Sequence, residues 1–144
     1  MRLGQSYLKD LHDDRCVVVD GERLRHVPDH AAFRGISRTI AGLYDYAADP
    51  SHGMTHDDGT NRIYGIPRSR EDLRARREAI TAWATLTNGL VGRGPEHVAG
   101  FLAGFAGAPD VFARADPRFA QNVTRFHRAA AEQDLFVTYV IVPP

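Results

Sequence analysis

The segment Gly92-Arg93-Gly94-Pro95-Glu96-His97 combines residue types that handle an anion and a proton. An arginine beside a helix N-terminus joins a fixed charge to free backbone N–H groups. His97, one turn into that helix, can donate, accept or act as a base near neutral pH. In the alternative, Arg93 caps the C-terminus of a neighbouring helix and His97 is a surface residue. The sequence leaves both open.

Other clusters carry less. His26 and His30 are four apart, but Pro28 interrupts the helix that i,i+4 metal ligation needs. His52, His56, Asp57 and Asp58 offer mixed nitrogen and oxygen donors for a divalent ion. Nothing around them would orient such ligands, so a mobile, solvated loop is the favoured reading and no metal is assigned. Arg74, Arg76 and Arg77 read as a solvated helix face neutralised by Glu71, Asp72 and Glu78. Gly92-x-Gly94 and Gly100-x-x-x-Gly104 lack the strand–loop–helix setting of a dinucleotide or P-loop site.

These candidates sit in a chain of 144 residues, one domain's worth. Hydrophobic residues make up 43% and charged residues 25%, a globular balance. Eighteen basic residues match 18 acidic ones, which argues against a nucleic-acid module and against attachment to anionic lipid. No apolar run is long enough for a membrane span, and MRLGQSYLKDLHDD has no apolar signal core. Cys16 is alone, which excludes an intrachain disulfide or a cysteine zinc cluster. A cytoplasmic protein is the default expectation.

The patterning predicts a mainly α fold: a helical domain with a short β-hairpin and a C-terminal extended strand. A short helix is expected at Ser6–Leu11, and Asp20-Gly21 marks a hairpin between residues 16–19 and 22–25. Pro28-Asp29 opens the next helix with Asp29 as N-cap, and Phe33, Ile36, Ile40 and Leu43 recur on its inner face to about Ala48. Residues 50–61 form a polar loop, and 62–66 a short strand or extended segment. Ser69 and Asp72 fit a capping box, opening a helix to about Asn88 with Leu73, Ile80, Trp83 and Leu86 inward and Gly89 at its end. Pro95 sits where a first helical position would be, and a helix rich in small residues runs from Glu96 to about Ala108; its glycines, each costing about 1 kcal/mol, suggest close approach of a backbone or ligand. Asp116-Pro117 starts the last helix, with Phe119, Val123 and Phe126 inward. The chain closes on an extended apolar run, 135–144, which suggests a cut at a domain boundary or contact with another subunit.

Motifs along the whole chain resemble one family. They include Gly4-x-x-Tyr7-Leu8, Val19-Asp20-Gly21-Glu22-Arg23, His30-x-Ala32-Phe33-Arg34-Gly35 and Ala41-x-Leu43-Tyr44-Asp45. They continue through Ser69-x-x-Asp72-Leu73-x-x-Arg76-Arg77-Glu78-Ala79, Trp83-Ala84, Gly92-Arg93-x-Pro95, Phe101, Asp116-Pro117-Arg118-Phe119 and Ile141-Val142. Their order and spacing resemble the N-terminal domain of the 4-hydroxyphenylacetate 3-hydroxylase oxygenase components, which belong to two-component, reduced-flavin-dependent phenol monooxygenases.

The resemblance implies a fold and a chemistry. The family's longer chains add a β-barrel and a C-terminal helical bundle that forms a tetramer, both absent from residues 1–144. A separate reductase supplies reduced FAD, and one oxygen atom of O₂ enters ortho to a phenol hydroxyl. Three side chains of the N-terminal domain face the phenol: an Arg, a Tyr and a His. Carried over, Arg93 matches the Arg, the Tyr position is His97, and the His position is Tyr139. Pro143 stands where the family has Asn. Arg93, His97 and Tyr139 are therefore the expected catalytic and substrate-binding residues; no flavin-binding residue is assigned. Imidazole titrates near neutrality and phenol near 10, so the exchange moves acid and base to new places.

The resemblance leaves two functions to weigh. The first is an oxygenase-type domain of an FADH2-dependent aromatic monooxygenase. Its partners would be a small aromatic substrate, a flavin reductase, and a second subunit carrying the other domains or further copies of itself. The second is a stand-alone domain without flavin, which binds a small aromatic ligand or a partner subunit, or does different chemistry in the retained cleft. Neither involves nucleic acid or a membrane.

Overall fold

The computed structural model describes residues 1–89 and 94–143. It is mainly helical with one two-stranded hairpin, as expected. The chain divides into two compact units, Arg2–His52 and Gly53–Pro144.

In the first unit, helix α1 (Gly4–Asp10) leads into strands β1 (Val17–Val19) and β2 (Glu22–Leu24). The strands pair antiparallel with Val17 opposite Leu24 and Val19 opposite Glu22. Asp20 and Gly21 both take positive φ, 51° and 84°, the requirement of a two-residue hairpin turn. Pro28 and Asp29 lie in a 3-10 turn, Val27–Asp29, ahead of α2 (Ala31–Ala48). Asp29 is therefore not the N-cap. His30 is: its Nδ1 accepts the Ala32 N–H at 3.2 Å. The buried face of α2 is Ile40, Leu43, Tyr44 and Ala47, while Ile36 stays half exposed, against expectation. Helix α1 packs closely on α2. A Cβ at Gly4 would collide with the Ala41 carbonyl, and the Gly4 N–H donates to Asp45 Oδ1 at 2.8 Å.

The second unit contains α3 (Arg70–Leu86), α4 (Pro95–Gly107), α5 (Asp110–Ala113) and α6 (Pro117–Glu132). Helix α5, a single turn, is an element that the residue pattern does not announce. The capping box at Ser69 is present in both directions. At the other end Asn88 N–H bonds Thr85 O at 3.1 Å and Gly89 N–H bonds Ala84 O at 2.8 Å. These are the two bonds of a Schellman close, with Asn88 in the C′ place expected for Gly89. Trp83 and Ala79 are buried, whereas Leu73 and Leu86 are about half exposed rather than inward. Phe119 and Phe126 of α6, also expected inward, are likewise about half exposed.

Residues 53–67 differ most from expectation. The polar loop is not wholly solvated: Met54 and Asn61 are each 1% exposed, and Thr55 pairs with Asn61 in an isolated bridge. Residues 62–64 form a 3-10 turn rather than an extended segment, because the Asn61 side chain accepts the Ile63 N–H. Arg76, expected on the outer face of α3, points inward. It donates to the carbonyls of Ile63 and Arg62 and to Glu96 O at 3.1 Å. Burial lowers the pKa of its guanidinium. Gly100 leaves the space that Arg76 occupies: a Cβ there would stand 3.0 Å from Nη2. The small residues of α4 thus admit an arginine and bury Ala99, Ala103 and Ala106.

The closing run is extended but pairs with no strand among the described residues, so the expected C-terminal strand is unpaired chain. Val140 is 80% exposed there. Among the described residues no helix is long and apolar enough to cross a membrane.

Candidate aromatic-binding site

Two local stops bring distant residues together. Gly94, extended at φ −73°, ψ −172°, caps α4, and Pro95 takes the first helical position, where its missing N–H costs nothing. His97 therefore falls in the first turn, and Phe101 and Phe105 follow on the same side at one-turn intervals. At the other end α6 closes with Asp134 at φ 47°. Asp134 N–H bonds Ala131 O at 3.2 Å and Leu135 N–H bonds Ala130 O at 3.0 Å. The Asn61 amide holds Asp134 at 3.2 Å, and the Tyr64 hydroxyl donates to the Leu135 carbonyl. This pinned corner directs the closing segment across the start of α4.

Tyr139 then meets His97 with ring centroids 5.7 Å apart. Phe101 completes the group, 4.8 Å from His97 and 5.9 Å from Tyr139. Such spacings are favourable for tilted aromatic rings. Beside them lies a cleft of about 310 Å³ lined by His97, Val98, Thr138, Tyr139, Val140 and Ile141. Its lining suits one aromatic ring edged by a proton-handling imidazole and a phenol hydroxyl. Of the three expected site residues, the structure brings His97 and Tyr139 together; Arg93 lies outside the described residues. Phe101 was not singled out for the site, although its i+4 relation to His97 is visible in sequence.

The described lining contains no cation and no glycine-rich loop able to cradle a dinucleotide's diphosphate. Among the described residues no group of three His, Cys, Asp or Glu side chains is placed to hold a metal ion. His12 and His26, with ring centroids 5.6 Å apart, have no third such partner.

A helical unit that puts an imidazole and a phenol beside one apolar cleft fits a domain that presents an aromatic ring to chemistry. Residues 3–144 match the family described as 4-hydroxyphenylacetate 3-hydroxylase N terminal, and the chain belongs to that family. It is 34% identical over 146 residues to the pyoverdin chromophore biosynthetic protein PvcC of Pseudomonas aeruginosa. It is 33% identical over 149 residues to the 4-hydroxyphenylacetate 3-monooxygenase oxygenase component of Escherichia coli. Each alignment covers 98% of this chain but 28% of the relative. The crystal structure of the oxygenase component HpaB complexed with FAD and 4-hydroxyphenylacetate superposes with a TM-score of 0.85 at 32% identity. That match covers 94% of this chain and 29% of the solved one. The chain thus spans under a third of the length of these relatives.

Proposed function

We propose that this chain is the phenol-holding part of an FADH2-dependent aromatic monooxygenase, acting on a phenolic or related aromatic compound. The observation that carries the reading is the meeting of His97 and Tyr139 beside an apolar cleft. In this proposal Arg93, His97 and Tyr139 are both the substrate-binding and the catalytic residues. The substrate ring packs against the aromatic group at Phe101. The His97 imidazole takes the proton of the substrate hydroxyl. The Tyr139 hydroxyl donates a hydrogen bond to the resulting phenolate oxygen, and Arg93 offsets its charge. Val98 and Ile141 give the ring an apolar edge on this chain, and the remaining domains would complete its exclusion from water.

The chemistry draws its oxygen atom from O₂ and reduced FAD, brought by a separate reductase. The lining of the cleft holds no group that cradles a diphosphate, which supports placing most of the flavin site on the remaining domains, on a second subunit or elsewhere, as the proposed partners. That same lack supports a second reading: a flavin-free domain that binds a small aromatic ligand or a partner subunit through the exposed segment 140–142.

Titration of the chain with 4-hydroxyphenylacetate and with unsubstituted phenol, followed by NMR, tests the site. His97→Ala, Tyr139→Phe and Arg93→Ala should each weaken binding by about tenfold, with melting temperature unchanged. Unchanged affinity with a lower melting temperature would reduce these residues to structural roles. Titration with reduced FAD, with and without the phenol, of the chain together with the polypeptide that carries the remaining domains separates the readings. Phenol binding without flavin affinity favours the second.

A further inference from the structure

We propose that a second cavity, sharing no lining residue with the His97–Tyr139 cleft, binds a small zwitterion of the α-amino-acid type. It is an open groove of about 940 Å³, within the range of ligand pockets. One wall comes from residues 56–66. The other is the face of α6 on which Thr124, His127, Arg128 and Ala131 recur at helical spacing.

Both walls are held in place. His56 N–H bonds Thr60 O at 2.8 Å, and the Asn61 side chain fixes the turn that follows. His127 Nε2 lies 2.8 Å from the Tyr64 carbonyl, tying α6 to that turn. A carbonyl can only accept, so Nε2 carries the hydrogen, and in the neutral ring Nδ1 is left as a lone-pair acceptor.

No ion pair closes across the groove, and Asp57, Asp58, Arg128 and Glu132 are open to an incoming ligand. Arg62 and Arg128 line it together with Asp57, Asp58 and Glu132. Among the described residues no nitrogen of Arg62, Arg128, His56 or His127 lies within 4.0 Å of a carboxylate oxygen. Arg62 Nε and His56 Nε2 are also shielded from solvent without a hydrogen-bond partner. Opposite charges therefore share one cavity without touching. The guanidinium groups call for a carboxylate, and the carboxylates call for an ammonium group. A ligand carrying both on one carbon bridges them. Asp58 is the least available, since its Oδ1 accepts the Thr60 N–H at 2.8 Å, which leaves Asp57 and Glu132 for the ammonium group. Ile66, Ala106 and Ala131 give the ligand's side chain an apolar surface.

Calorimetric titration of the chain at low ionic strength tests this with three molecules sharing one side chain: L-leucine, 4-methylpentanoate and 3-methylbutylamine. Leucine should bind saturably, and each singly charged analogue at least about tenfold more weakly. Arg128→Gln should weaken leucine and 4-methylpentanoate but not the amine, and Glu132→Gln should weaken leucine and the amine but not the acid. Both positions are exposed on α6, so circular dichroism should be unchanged. If 4-methylpentanoate binds as well as leucine, the cavity is a plain anion site and the proposal falls. It falls equally if leucine shows no saturable binding at millimolar concentration.

Discussion

Asn61 is nearly sealed from solvent and uses both ends of its amide: the oxygen accepts the Ile63 N–H and the nitrogen donates to Asp134. Asp134 is itself 3% exposed, so removing the donor leaves a buried carboxylate short of a bond. Asn61→Ala should therefore destabilise the second unit by about 2 kcal/mol, the scale of a buried hydrogen bond to a charged group. Urea unfolding measures this; a change under about 0.5 kcal/mol would show that water replaces the amide. Because Asp134 sets the corner before Tyr139, the same substitution should also weaken phenol binding. Nothing in the spacing of Asn61 and Asp134 announces the pair. An Asn before a short apolar stretch reads as turn chemistry, and its burial depends on an element far along the chain.

Helix ends show the opposite case. The capping box of α3 needs only Ser69 and Asp72, three residues apart, and it forms as read. Ser69→Ala should cost about 1 kcal/mol of stability in thermal or urea unfolding. Asp72 gives a pH signature. The backbone N–H of Arg68, then the Ser69 side chain, hold its carboxyl below the usual carboxylate value. A group whose pKa is lower when folded contributes stability above its unfolded value, and that contribution is lost as pH falls through the folded one. Stability should therefore drop below about pH 4, and Asp72→Asn should flatten that drop. An acid limb unchanged by the substitution would show that Asp72 ionisation does not support the helix start. Inner faces were harder to read. Leu73, Phe119 and Phe126 sit at sound helical positions yet remain about half exposed, because periodicity gives a face without saying what covers it.

At the scale of the molecule, large apolar side chains stay in water. Phe101 and Phe105 are nearly half exposed, and Val140, Ile141 and Val142 are more than three-quarters exposed. Exposed apolar residues in such number mark contact surfaces or sites of association. The chain should bind the dye ANS while folded. Val140→Asp with Val142→Asp should lower that signal and leave the melting temperature unchanged, since neither side chain is packed. A melting temperature that falls by several degrees would show that the segment supports the core.

The hairpin turn, the α3 cap, the proline starts of α4 and α6 and the overall helical class were all legible from the residues alone. Each is a local backbone preference, decided within a few positions by hydrogen bonding and steric fit. Arg76 turning inward, the burial of Met54 and Asn61, the unpaired closing segment and the approach of Tyr139 to His97 were not local. They depend on which surfaces meet when helices pack and on which buried carbonyls then need a donor. Packing and the satisfaction of buried polar groups act between elements distant in sequence, and only the folded chain decides them.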